Sequence, residues 1–276
     1  GDLLLLPDPG YPDYLSGVSL GRIAYETFTL TAENNFLPDL DAIPEETARR
    51  AKFIYINYPN NPTGAVATKA FYEKLVAWAK TYEVGVVSDL AYGALGYRGY
   101  ENPSFLSTPG AKDVGIEFYT FSKTFNMAGW RLAFSAGNDQ MIEALNLIQD
   151  HLFVGIFPAL QEAGIAALLD PKSEEAVGQL NATYDSRRDA FVQAAAKIGW
   201  KAFPSKGSFY AWMPVPEGYT SESFADHLLE KAHVAVAPGK GFGPAGDDYV
   251  RIGLLVEPER LVEAVDRITD LQLFNN

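Results

Sequence analysis

Asn61, Asp89 and Lys123 each stand beyond an apolar run, and together they offer an amide, a carboxylate and an amine. Lys123 follows the run Ile116 to Phe121. Thr120 and Ser122 set two hydroxyls before it, and Arg131 comes eight residues after it. An amine beside hydroxyls and a guanidinium suits a site that grips a phosphate and forms an imine with an aldehyde. A pyridine-based aldehyde would also need a carboxylate at its ring nitrogen, to keep that nitrogen protonated and electron-withdrawing. Asp89, a lone acid after Val84-Gly85-Val86-Val87-Ser88, answers that need. Asn61 and Tyr92 could each donate to a phenolic oxygen on such a ring. Tyr11, held by neighbouring prolines, could stack on its face. Arg251 could clamp a substrate carboxylate in bidentate fashion.

Other readings of the same residues stay open at this level. Lys123 also reads as an exposed lysine at a strand end. Asn61-Pro62-Thr63-Gly64 also reads as a turn, Asp89 as a helix cap, Tyr92 as core and Arg251 as half of a surface ion pair. Gly239-Lys240-Gly241-Phe242-Gly243 lacks the strand-to-helix setting and the Lys-Ser/Thr ending of a phosphate loop, so it reads as a plain loop.

The elements that must position these residues follow from periodicity. Leu3 to Leu6 reads as a strand buried on both faces. Pro7-Asp8-Pro9-Gly10-Tyr11-Pro12 is a rigid turn. Strands are expected at Arg22 to Leu30, Lys52 to Asn57, Val84 to Val87, Ile116 to Phe121 and Leu132 to Ala136. Pro38 to Arg50 reads as loop plus a short helix. Thr68 is placed to cap a helix whose apolar positions are Phe71, Leu75, Trp78, Ala79 and Tyr82. This alternation predicts an α/β fold, a mostly parallel sheet sandwiched by helices. Ligands of such sheets sit beyond the carboxyl ends of the strands, where Asn61, Asp89 and Lys123 all lie.

After about residue 155 the pattern changes. A long helix with Ala176, Leu180, Tyr184, Phe191, Ala195 and Ile198 on one side leads to a strand (Ser208 to Met213) and a helix (Glu222 to Ala232). A short strand (Val234 to Ala237), a glycine-rich loop, the strand Tyr249 to Leu255 and a last helix (Pro258 to Leu271) follow. The expected division is a large domain over 1–155 and a smaller α+β domain over 156–276.

Bulk composition excludes several classes. The chain has 276 residues and a formal net charge of −13, spread along its length. A phosphate-rich partner needs a basic face, so nucleic acid and anionic membrane surfaces are not expected. The absence of cysteine removes disulfides, thiolate metal sites and thiol nucleophiles, and fits a reducing cytoplasm. His151, His227 and His233 lack metal-ligand spacing. No apolar run reaches the roughly twenty residues that span a bilayer.

Taken together, the motifs resemble the class I/II aminotransferases, the pyridoxal-phosphate enzymes of aspartate aminotransferase type. They are Asn61-Pro62-Thr63-Gly64, Ser88-Asp89-Leu90-Ala91-Tyr92, Ser122-Lys123 through Gly129-Trp130-Arg131, and Tyr249-Val250-Arg251-Ile252-Gly253. Thr120 stands where the family pattern usually has serine or glycine, and it keeps the hydroxyl. The resemblance implies a pyridoxal 5′-phosphate cofactor bound covalently by Lys123, which also moves the proton. It implies Asp89 at the ring nitrogen, Asn61 and Tyr92 at the ring oxygen, and Tyr11 on the ring face. Thr120, Ser122 and Arg131 would hold the phosphate. Asn61 and Arg251 would bind substrate, Arg251 through the α-carboxylate. A homodimer is expected of the family.

Three further segments resemble the methionine-salvage branch, which aminates 4-methylthio-2-oxobutyrate. They are Pro9 to Gly17, Ala32 to Pro38, and Gln149-Asp150-His151. Diaminopimelate and aspartate aminotransferases share the core motifs and stay open, as does a C–S lyase on the same scaffold. A cofactor-sensing module fused to a DNA-binding domain is a third, non-enzymatic reading. The resemblance also implies a longer amino end. It would carry an arm of the small domain, a helix start that cradles phosphate with backbone N–H groups and a residue reaching the neighbouring subunit. The expectation is that this chain begins partway through the fold, and by itself binds cofactor weakly and turns over slowly or not at all.

Overall fold

In the computed structural model, which describes residues 2–274, the leucine run forms most of β1 (Leu3–Asp8), buried on both faces. A strand without polar alternation needs neighbours on each side, and β1 has them. It pairs in parallel with β2 (Ala24–Thr29) and with β3 (Ala51–Asn57). The sheet continues in parallel through β4 (Gly85–Asp89) and β5 (Gly115–Thr120), and closes with an antiparallel edge strand, β6 (Ala133–Gly137). Its order is β2-β1-β3-β4-β5-β6. The parallel pairs require crossovers, and the helices that flank the sheet supply several of them.

The helices of this half are α1 (Asp13–Gly21), α2 (Glu45–Arg50), α3 (Lys69–Tyr82), α4 (Ala111–Val114), α5 (Phe121–Thr124) and α6 (Asp139–Leu152). The Thr68 hydroxyl accepts from Phe71 N–H and caps α3, as its position predicts. Phe71, Tyr72, Leu75, Val76, Trp78 and Ala79 bury the inner side of α3 against the sheet core.

Helix α1 has no counterpart in the sequence reading, which passes from the proline turn to the next strand. Its sequence, Asp-Tyr-Leu-Ser-Gly-Val-Ser-Leu-Gly, carries two glycines and buries only Val18. Propensity opposes this helix. Contacts of Tyr14 and Val18 with Leu4, Leu6, Phe53 and Tyr55 hold it in place.

The second half begins with α7 (Pro158–Leu169) and α8 (Ser173–Lys197). A small antiparallel sheet follows, built from β7 (Tyr210–Pro214), β8 (Ala237–Pro238) and β9 (Tyr249–Gly253) in the order β7-β9-β8. Helices α9 (Ser221–Ala232) and α10 (Pro258–Thr269) complete this half. Phe191, Trp200, Phe224, Leu228, Leu261, Val265 and Ile268 form a separate core between helices and sheet. The strand expected at Val234 to Ala237 is shorter and later than the sequence reading. His233 takes a left-handed conformation (φ 55°), and Val234 N–H returns to Leu228 C=O, so the chain spends these residues leaving the helix.

Tyr92, Leu95, Tyr97, Tyr184, Phe209 and Tyr210 form a third cluster, which joins the end of the large sheet to α8 and β7. Among the described residues, no helix is long and apolar enough to cross a membrane, and no three His, Asp or Glu side chains gather as a metal site.

Candidate active site

Strands β3, β4 and β5 are parallel neighbours, so their carboxyl ends share one edge. Asp89 is the last residue of β4, and Lys123 lies three residues past β5, in α5. Asn61 lies four residues past β3, in a turn tied down by Asn57 and Asn60. Asn57 Oδ1 accepts from Asn61 N–H at 2.8 Å, and its amide donates to the Asp89 carbonyl at 2.8 Å. One buried side chain thus holds the backbone of two candidate residues in register.

Behind Asp89, buried Glu117 of β5 accepts from Ser88 Oγ (3.0 Å), Ser104 Oγ (2.5 Å) and Phe105 N–H (2.8 Å). Burial pushes this carboxyl up, and the three donors work against that rise. The Ser88–Glu117 bond crosses between facing residues of β4 and β5, one position before Asp89.

The Asp89 carboxylate is held on both oxygens. Oδ2 accepts from Tyr14 Oη at 2.7 Å and Oδ1 from Ala91 N–H at 3.1 Å. Burial raises its pKa. The Tyr14 hydroxyl, the Ala91 amide and the nearby Lys123 charge oppose that rise. Asp89 therefore does act as a turn cap, while keeping a lone pair free on each oxygen.

The Lys123 amine sits 5.9 Å from the Tyr92 ring centroid and 5.7 Å from that of Phe209. Burial, followed by the Arg131 and Arg251 charges, lowers its pKa, and Asp89 pulls the other way. Tyr92 is buried, and its hydroxyl lies 3.3 Å from that of Tyr210. Burial is the main cause that raises the Tyr92 pKa, so the phenol stays a neutral donor.

Arg251, on β9, reaches across from the small sheet. Its Nη1 donates to Asn61 Oδ1 at 2.6 Å, and its guanidinium lies over the rings of Tyr210 (4.1 Å) and Phe242 (4.5 Å). This pair is stacked and aimed, so one edge of the fork is committed to Asn61 and the rest faces the site.

The phosphate candidates form a small group at the start of α5. Thr120 Oγ1 accepts from Ser122 N–H at 3.1 Å and lies 2.9 Å from Ser122 Oγ. Arg131 is exposed, in a left-handed conformation (φ 54°), and donates to Ala128 C=O at 2.8 Å. Tyr11 is exposed at the rim. Its hydroxyl donates to Asp13 Oδ2 at 2.5 Å, which together with burial pushes it up to about 12. Its ring meets Tyr14 edge-on at 5.6 Å.

The structure thus brings Asn61, Asp89, Tyr92, Lys123 and Arg251 together, with Thr120, Ser122 and Arg131 beside Lys123 and Tyr11 near Asp89. Sequence reasoning missed Tyr14, Tyr210 and Phe242. Tyr14 had a signal, since it follows the Tyr11-Pro12 turn by a few residues. Tyr210 and Phe242 had none, because nothing local says which face meets Arg251.

The sequence profile of aminotransferase class I and II matches residues 1–268. The chain belongs to this family and is an aminotransferase. It is 56% identical over 274 residues to the L-glutamine–4-(methylsulfanyl)-2-oxobutanoate aminotransferase of Bacillus subtilis, covering 99% of this chain and 68% of that protein. It is 49% identical to the LL-diaminopimelate aminotransferase of Moorella thermoacetica, covering 97% and 68%. The substrate-bound structure of BacF from Bacillus subtilis superimposes with a TM-score of 0.94 at 46% identity, covering 99% of this chain and 69% of that one.

Proposed function

We propose that the protein uses pyridoxal 5′-phosphate to move an amino group from glutamine to 4-methylthio-2-oxobutyrate. The observation that carries this reading is the meeting of one amine of lowered pKa, one half-buried carboxylate and one stacked guanidinium. That donor set fits the cofactor. Lys123 would hold its aldehyde, Asp89 its ring nitrogen, and Asn61 and Tyr92 its ring oxygen. Tyr11 would cover the ring, and Thr120, Ser122 and Arg131 would hold the phosphate. When bound, the cofactor supplies an electron-withdrawing ring that spreads the negative charge left at the substrate α-carbon.

The chain's own residues do the rest. Arg251 binds and orients the substrate α-carboxylate through charge-assisted hydrogen bonds. The Lys123 amine, its pKa lowered by burial and by the Arg131 and Arg251 charges, takes the proton from the substrate α-carbon and would deliver it to the cofactor's aldehyde carbon. Tyr92 stays protonated and donates. Tyr210 and Phe242 flank Arg251 with aromatic faces, which hold the guanidinium in place for that contact.

The likeness to the Bacillus subtilis glutamine enzyme supports this substrate pair. The likeness to LL-diaminopimelate aminotransferases supports a second reading, in which LL-diaminopimelate is the amino donor. A panel of 2-oxo acids offered with glutamine separates them. The expected outcome is fastest consumption of 4-methylthio-2-oxobutyrate. Faster turnover of LL-diaminopimelate would replace the first reading with the second, and release of ammonia and a thiol from a sulfur amino acid would replace both with a lyase.

The two sheets with their separate cores support a division into a cofactor-carrying domain over 1–155 and a smaller domain over 156–276. A homodimer is supported by an unusually apolar exposed face. Leu147, Ile148, Leu152, Phe153, Phe157 and Leu169 on and around α6 and α7 are all exposed. Sedimentation is expected to return twice the chain mass, and a monomer at micromolar concentration would count against it. The cysteine-free composition supports a cytoplasmic location.

A further inference from the structure

We infer that Tyr14 is a positioning residue for the reaction, holding Asp89 in one orientation as the ring-nitrogen partner. This rests on the cofactor reading above and adds a residue to it. The contact spans 75 positions in the sequence, from α1 to the end of β4. Tyr14 Oη lies 2.7 Å from Asp89 Oδ2. Its ring is wedged between Tyr11 (5.6 Å, edge-on) and Tyr55 of β3 (5.4 Å), with Leu4, Leu6 and Val18 beneath. The hydroxyl therefore has little freedom to leave. The Ala91 amide takes the other carboxylate oxygen, so the two donors together define the plane of the carboxylate. A third donor can then approach along only a narrow range of directions.

The hydroxyl also bears on the charge of the carboxylate. Burial favours neutral Asp89, whereas a donor to its oxygens favours the anion. The titratable groups facing Asp89 are Tyr14 and Tyr11 from α1 and the turn before it, Tyr92 from the turn after β4, and Lys123 from α5. The Tyr14 phenol is itself held neutral by burial and by the Asp89 charge, so it donates across the working range. Of these groups, Tyr14 alone donates to the carboxylate through a side chain among the described residues.

The test uses Tyr14→Phe, which keeps the ring packing and deletes the hydroxyl, and Tyr14→Leu, which deletes both. Affinity for pyridoxal 5′-phosphate is read by fluorescence titration from pH 5 to 9, and the Asp89 pKa in the apoprotein by carboxyl NMR. In the parent, affinity that needs ionised Asp89 is present above its pKa and fades as pH falls through it. Tyr14→Phe is expected to raise the Asp89 pKa and shift that fading to higher pH by about one unit. Affinity should fall roughly tenfold at pH values below the fading and approach the parent's well above it, with the thermal midpoint nearly unchanged. If Tyr14→Phe leaves both the Asp89 pKa and the cofactor affinity at parent values, the inference is wrong. It is equally wrong if Tyr14→Phe and Tyr14→Leu lose affinity only in step with a fall in thermal midpoint. If the parent itself fails to bind pyridoxal 5′-phosphate, the cofactor reading is what has failed.

Discussion

Replacing Lys123 by alanine will abolish the covalent link to pyridoxal 5′-phosphate and lower turnover by on the order of 10⁴-fold, the upper range for a positioned proton-transfer group. Borohydride, which converts a lysine–aldehyde link into a stable secondary amine, should fix the cofactor's mass to the parent chain and add nothing to the variant. The chemistry has no substitute nearby. The other cations facing the site are Arg131 and Arg251, and a guanidinium stays protonated and is a poor nucleophile. Lys123 is also the group whose pKa the fold lowers, by burial and by those two charges. Lys123→Arg keeps the charge and should be as inactive as the alanine variant. Turnover within tenfold of the parent in either variant would remove Lys123 from the mechanism and leave the site without a base.

The second large effect is expected from Asp89→Asn. The amide keeps the shape of the carboxylate but cannot balance a protonated ring nitrogen. Removing one partner of a charge pair screened from water costs about 3–5 kcal/mol, so kcat/KM should fall on the order of 10²–10⁴-fold. Stability should respond differently. Burial alone makes the ionised Asp89 costly in the apoprotein, and a neutral amide relieves that cost. The relief opposes the loss of one of the two hydrogen bonds from Tyr14 and Ala91, so the thermal midpoint should move little. A large fall in midpoint with unchanged kcat/KM would mean that Asp89 serves the fold as a turn cap and not the reaction.

The two variants probe residues that local sequence made visible. Asp89 ends β4 and Lys123 follows the end of β5 by three residues, and a parallel sheet puts strand ends on one edge. Neighbouring in that sense is nearly a matter of counting. Tyr14 was legible only as a neighbour of the Tyr11-Pro12 turn, because α1 is a helix that propensity disfavours and packing rescues. Tyr210 and Phe242 were hidden for another reason. They meet Arg251 through the pairing of β7 with β9 and the turn that follows β8, and no periodicity encodes which strands pair or in what register. The two-residue strand β8 shows the same limit, since a left-handed exit from α9 consumed residues that looked extended.

By itself, the order of residues determined the alternation of strands and helices, the shared edge that carries Asn61, Asp89 and Lys123, and the chemical types gathered there. Each of these depends on contacts within a strand, a helix or adjacent strands, where spacing is regular. Tertiary structure decided what grips those side chains: Tyr14 on the Asp89 carboxylate, Arg251 on the Asn61 amide, and aromatic rings against both cations. Such contacts join residues far apart in the chain, and they form only where burial makes an unpaired polar group too costly to leave alone.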